Sequence, residues 1–83
     1  MQTPESIRHH ILVQLETAYP LTLPLETLYQ GLRLAGLKCN HEEILKQLEY
    51  LIDKGFILKI TNELCPHNKR YKLSTKGVDY LED

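Results

Sequence analysis

The sequence predicts a small α+β domain in which three helices precede a β-hairpin and a short fourth helix. Three observations carry that prediction. Apolar residues recur at helical spacings before Gly55, β-branched and aromatic residues dominate after it, and capping or helix-ending residues stand at each change. With 83 residues the chain has room for one hydrophobic core, so we expect residues 1–83 to form one domain.

The first helix is predicted to begin at Thr3-Pro4-Glu5, where a capping residue, a proline suited to the first turn and an acid follow one another. Ile7, Ile11 and Leu15 then share one helical face. The helix is expected to end before Pro20, because proline disfavours the helical conformation of the residue before it.

A short extended segment over 21–23 is expected next, and Pro24 starts a second amphipathic helix that ends at Gly36. Asn40 and Glu43 form the spacing of a capping box directly before the apolar run from Ile44. They predict a third helix over 41–54, closed by Gly55.

After Gly55 the pattern changes to that of a hairpin, with strands near 56–61 and 70–73 and a long loop over 62–68 that holds the turn-forming residues. Ser74 is expected to cap a last short helix that turns Val78 and Leu81 inward. The predicted core consists of ten apolar residues: Ile7, Ile11, Leu15, Leu28, Leu32, Ile44, Leu48, Leu51, Ile57 and Leu73.

The run from Ile44 to Gly77 has the form Leu-x-x-Leu-x-x-x-Gly-aromatic-Ile, followed by Tyr-x-Leu-Ser-x-x-Gly. It resembles the second half of a winged helix-turn-helix domain, which implies that the third helix is a recognition helix and the hairpin a wing. The segments Pro-Glu-Ser-Ile-Arg, Gly-Leu-Arg-Leu-Ala-Gly and Tyr-Leu-Ile-Asp-Lys-Gly are also similar to small stand-alone winged-helix proteins of bacteria and of Mu-like prophages.

In winged-helix DNA binders the third helix enters the major groove and the wing contacts the backbone. Carried onto this chain, the resemblance implies a role as a transcriptional regulator that binds double-stranded DNA. The implied DNA-binding residues are Lys46, Gln47, Tyr50, Lys59, Lys69, Arg70 and Lys72.

The charge distribution keeps a second function open. The net charge is −1, and residues 40–54 carry four acids against two lysines, whereas residues 56–73 carry a surplus of three positive charges. DNA phosphates attract the second segment and repel the first. The alternative is therefore a protein-interaction domain that uses the acidic third helix as its docking face.

Cys39, His41, Cys65 and His67 form two Cys-x-His pairs with zinc-binding side chains, but their spacing is not that of a structural zinc finger. We therefore expect no metal or other cofactor. No glycine-rich phosphate loop or nucleophile motif occurs, and a single small core leaves little room for a cleft of about 300 Å³, so an enzyme is not expected.

No apolar stretch approaches the length of a membrane span, and no signal segment is recognised, so a cytoplasmic protein with reduced cysteines is expected. Leu12, Val13 and Leu34 fall outside the predicted apolar stripes. Leu12 and Val13, together with Tyr80, are expected to form the contact surface of a homodimer.

Overall fold

The computed structural model describes residues 3–62 and 64–82, and it has the α+β winged-helix architecture that the sequence predicts. Three helices pack beside a three-stranded antiparallel sheet, and a fourth helix closes the chain. In chain order the elements are α1 (Pro4–Ala18), β1 (Leu23–Pro24), α2 (Leu25–Leu34), α3 (His41–Asp53), β2 (Ile57–Asn62), β3 (Cys65–Leu73) and α4 (Thr75–Glu82).

The ends of the helices follow the predicted capping residues. The Thr3 hydroxyl accepts a hydrogen bond from the Ser6 backbone N–H at 3.1 Å and so caps α1. Beyond α2 and α3, Gly36 and Gly55 adopt φ angles of 86° and 84°, which residues with a side chain rarely adopt. Glycine at these two positions lets the chain leave each helix sharply.

The sheet has the strand order β1-β3-β2, so β3 is its central strand. Ile57 pairs with Leu73 and Lys59 with Tyr71, and the ladder continues to a pair between Asn62 and Cys65. The expectation of a long loop over 62–68 is therefore wrong, because both strands continue through most of that segment. The turn-forming residues that suggested a loop lie instead in an irregular part of the ladder, where the register shifts after Ile60.

The ten predicted core residues are all buried, and Leu12 and Tyr71 join them. Leu12 is only 3% exposed, so its assignment to a dimer surface is wrong. The reason is that α1 contacts α2, α3, α4 and β3, and this central position buries a wider stripe than one apolar face. Val13 and Tyr80 are exposed, and the homodimer stays a prediction.

The last helix is attached to the end of α3 by Ser74. Its hydroxyl donates to the Gly55 carbonyl at 2.6 Å and accepts from the Gly77 N–H at 3.0 Å. Val78 and Leu81 pack against the core, as predicted. Within residues 3–62 and 64–82, no helix has both the length and the apolar character needed to cross a membrane.

Candidate nucleic-acid interface

The capping box at the start of α3 fixes where the helix emerges from the turn that follows α2. The Asn40 side chain accepts from the Glu43 N–H at 2.8 Å, and the Glu43 carboxylate accepts from the Asn40 N–H at 3.4 Å. Glu43 is thus held at the helix N-terminus, where a negative charge stabilises the helix dipole. Its charge therefore has a structural role whether or not the helix binds DNA.

The exposed side of α3 carries more acids than bases. Lys46 is exposed at its centre, with Glu42, Glu49 and Asp53 on the same side of the helix. Phosphate groups close to this side would meet three carboxylates and one ammonium group. In the structure, as in the sequence, the side of α3 expected to meet DNA is therefore negatively charged.

Gln47, one of the implied DNA-binding residues, is buried, with 8% of its surface exposed. Its side-chain oxygen accepts a hydrogen bond from a guanidinium N–H of Arg8 on α1 at 3.2 Å. Gln47 thus lacks the exposed position that its implied role in DNA binding needs, because α1 covers this flank of α3. The sequence contains no signal for this contact, since 39 positions separate the two residues.

Tyr50 is 43% exposed, but it faces α1 rather than the wing. The Arg8 guanidinium lies 4.3 Å from the centroid of its ring, and the Lys54 ammonium lies 5.7 Å from it. Both contacts have the geometry of cation–π interactions. Tyr50 is thus accessible at the edge of a cleft next to α3, on the side away from the hairpin.

The hairpin divides its positive charges between its two faces. Lys59 pairs with the buried Tyr71 and so lies on the face towards α3, where its ammonium contacts Glu49 at 3.7 Å. Lys69, two residues before Tyr71 on the same strand, continues this side towards the hairpin tip. Arg70 and Lys72 lie opposite Ile60 and Leu58 on the other face.

Arg70 connects the wing to the segment before α2. Its Nε donates to the Thr22 hydroxyl at 2.7 Å, and one terminal nitrogen donates to the Thr22 carbonyl at 3.1 Å. These bonds position β3 beside β1, which pairs Pro24 with Arg70. Arg70 is therefore a structural residue, and fewer of its donors remain for a phosphate than its type alone suggests.

In the first Cys-x-His pair, Cys39 and His41, the histidine contacts an aromatic ring and a carboxylate. His41 stacks on Tyr29 with ring centroids 4.1 Å apart, and its Nε2 lies 3.1 Å from a Glu26 carboxylate oxygen. Burial, with a smaller contribution from Glu43, raises the pKa of the Cys39 thiol. The side chains of Cys65 and His67 lie outside the described part of the molecule. Among the side chains that the structure describes, no group of three or more His, Cys, Asp or Glu residues could hold a metal ion.

Two clefts are larger than the sequence led us to expect. One of about 490 Å³ lies between α2 and α3 and is lined by Tyr29, Arg33 and Lys38, among others. The second, of about 410 Å³, lies between α1, α3 and α4. The expectation that so small a core leaves little room for a cleft is wrong, because both clefts form between helices at the surface rather than inside the core.

The fold is shared with a solved structure of a regulator. The chain is similar to the ferric uptake regulator from Francisella tularensis, determined with iron, at a TM-score of 0.68 and 16% sequence identity. The similarity covers 99% of this chain and 74% of the regulator. At this identity it shows a common winged-helix fold.

No protein-family model and no curated protein matches the chain. Kinship with Mu-like prophage proteins therefore has no support beyond the short segments that suggest it.

Proposed function

We propose that this protein is a cytoplasmic DNA-binding winged-helix regulator whose contacts to phosphate come mainly from the side where α3 meets the hairpin. The observation that carries the proposal is the placement of three lysines on that side. Lys46 lies on α3, Lys59 beside it on β2, and Lys69 further along β3. In winged-helix DNA binders this junction faces the duplex, and positive side chains there would contact successive phosphates.

Two of the three lysines are available for such contacts. In the described part of the chain, Lys46 and Lys69 make no hydrogen bond or ion pair, whereas Lys59 is partly neutralised by Glu49. Since Gln47 is buried, Lys46 is the main exposed side chain on α3 with donors for base edges. We therefore expect weak binding with little sequence preference for a single chain.

The test is fluorescence anisotropy with a labelled duplex of about 20 base pairs over a series of salt concentrations. Replacing Lys46 and Lys69 by glutamate should weaken binding strongly, and each lost phosphate contact should reduce the salt slope by about 0.9. Lys72→Glu is the matched control for each single substitution, Lys46→Glu or Lys69→Glu, because it makes the same change of two charge units on the other face of the hairpin. Equal losses in the two single variants and the control would contradict the proposed orientation.

One observation favours the second function, a protein-interaction domain. Arg70 and Lys72 lie on the face of the hairpin opposite Lys59, so the positive residues do not form one continuous surface. The exposed side of α3 meanwhile combines the acids Glu42, Glu49 and Asp53 with the half-exposed Leu45. A basic peptide with an apolar residue would complement that side. Failure to bind any duplex at low salt would overturn DNA binding and leave this function.

A further inference from the structure

The cleft between α1, α3 and α4 brings aromatic rings from three parts of the chain together. Tyr50 comes from α3, Phe56 from the segment before β2 and Tyr80 from α4, and they surround a volume of about 410 Å³. Buried Leu12 and Leu51 line it as well. Its volume is within the range of small-molecule sites in proteins.

The aromatic walls leave ring surface open to the cleft. Tyr80 is 55% exposed although it packs on Phe56 with ring centroids 4.7 Å apart, and Tyr50 is exposed to a similar degree. Single exposed rings are ordinary on protein surfaces, but these rings converge on one concave site. A flat aromatic ligand would bury the open ring surfaces that the fold itself leaves uncovered.

The charged groups around the cleft favour an anion. Arg8 lines it, and of the five N–H donors on its guanidinium one is used by Gln47. Lys54 stands 5.7 Å from the Tyr50 ring, and Lys76 stands 5.4 Å from the Phe56 ring. Among the described residues that line the cleft, the charge of Glu5 balances that of Arg8, so the excess of positive charge comes from Lys54 and Lys76 beside the aromatic rings.

We propose that this cleft binds a small aromatic carboxylate, with its ring against Tyr50 and Tyr80 and its carboxylate on Arg8. A planar guanidinium is suited to bind a carboxylate through two parallel hydrogen bonds. Arg8 covers part of the Tyr50 ring, so a ligand that contacts the uncovered part of that ring would have its acid group within reach of those donors. The site does not depend on the proposed phosphate contacts, because it contains none of Lys46, Lys59 and Lys69.

The experiment uses three probes that share one ring system and differ in charge: 1-naphthylacetate, 1-naphthaleneethanol and 1-naphthylmethylamine. Each is titrated into the full chain at neutral pH and followed by amide chemical shifts. The anion should bind at least about tenfold more tightly than the alcohol, and the amine should bind more weakly still. Shifts should concentrate at Arg8, Leu12, Tyr50, Phe56 and Tyr80.

Two variants separate charge recognition from ring stacking. Arg8→Gln should remove the preference for the anion while leaving affinity for the alcohol within about twofold, and that retained affinity also shows that the cleft still folds. Tyr80→Ala should weaken all three probes alike. The matched control is Arg33→Gln, since Arg33 lies over Tyr29 outside this cleft and should leave binding unchanged.

Three outcomes would overturn the proposal. They are equal affinity for the three probes, no saturable binding below about 10 mM, and an anion preference that survives Arg8→Gln.

Discussion

Lys59 on β2 forms an ion pair with Glu49 on α3, with Nζ and Oε1 3.7 Å apart. The pair joins the hairpin to the helix that would enter the major groove. It also places a carboxylate among the lysines that we propose for phosphate contacts. The negative charge on α3 therefore weakens the attraction of phosphate to the wing as well as to α3 itself.

Replacing Glu49 by glutamine should strengthen DNA binding. The change removes one repulsive charge and frees Lys59 for a phosphate, so affinity at low salt should rise several-fold and the salt slope should steepen by up to about 0.9. Anisotropy titrations over a salt series measure both quantities. Because the ion pair is solvent-exposed, the free energy of unfolding should change by less than about 1 kcal/mol.

Glu16→Gln supplies the matched control, since Glu16 is an exposed acid on α1 and the net charge changes equally. If both variants bind DNA equally more tightly, the effect comes from net charge and not from release of Lys59.

Gln47→Ala should destabilise the fold rather than change sequence preference. The variant removes the hydrogen-bond acceptor of the Arg8 guanidinium on α3 and opens space at a site that is only 8% exposed. A loss of about 1–3 kcal/mol in the free energy of unfolding is expected from urea titrations. Lys46→Ala, one residue earlier and exposed, should cost less than about 0.5 kcal/mol. Altered preference among DNA sequences in a fully stable Gln47→Ala protein would contradict this structural role.

The helix ends and ten core positions could be predicted because they depend on short-range rules. Capping by Thr3 and Asn40 and the glycine exits at Gly36 and Gly55 involve residues that are close in sequence. Leu12 was missed because its burial depends on three other helices and a strand that cover α1.

The candidate interface was less predictable, because the contacts of its residues are made with residues that are distant in sequence. Arg70 is bound by Thr22, Gln47 by Arg8 and Lys59 by Glu49. Residue type indicates that each side chain has donors or charge, but it does not indicate which contact uses them. Lys59 and Lys72 lie on opposite faces of the hairpin because side chains alternate along a strand. This can be seen only when the register of β2 against β3 is known, and that register comes from tertiary structure.

Gly77→Ala should be among the most damaging single substitutions in the chain. A Cβ at this position would lie 2.7 Å from Leu73 Cδ1 and would collide with the Phe56 carbonyl oxygen. That oxygen accepts the Ser74 N–H, so backbone in two segments would have to move. Thermal or urea unfolding should show a free energy of unfolding lower by about 1–3 kcal/mol or more.

Gly31→Ala is the comparison, because the atoms nearest its added Cβ belong to the flexible Gln14 side chain, which can move at the cost of its 3.3 Å hydrogen bond to the Leu28 carbonyl. Alanine also favours a helix by about 1 kcal/mol over glycine. The free energy of unfolding of Gly31→Ala should lie within about 1 kcal/mol of the wild-type value. Equal losses in the two variants would show that the close packing of α4 on the Phe56 carbonyl is not what makes Gly77 necessary.

Tyr71 should make the fold less stable at alkaline pH. Burial, with a further contribution from the charge of Glu49, raises the pKa of the Tyr71 phenol above its usual value of about 10. The unfolded chain therefore releases this proton at lower pH than the folded chain does. The stabilising contribution is complete below pH 10 and is lost as the pH rises through the folded pKa.

Urea titrations between pH 8 and pH 11 measure this loss, and Tyr71→Phe should make stability less dependent on pH above 10. The pKa of the Cys39 thiol is also raised by burial, so the comparison is made in a Cys39→Ser background that removes its earlier contribution. Tyr19→Phe removes an exposed tyrosine and should leave the pH dependence unchanged. If Tyr71→Phe and Tyr19→Phe flatten the profile equally, the alkaline loss arises from general charge repulsion and not from the buried phenol at the centre of the sheet.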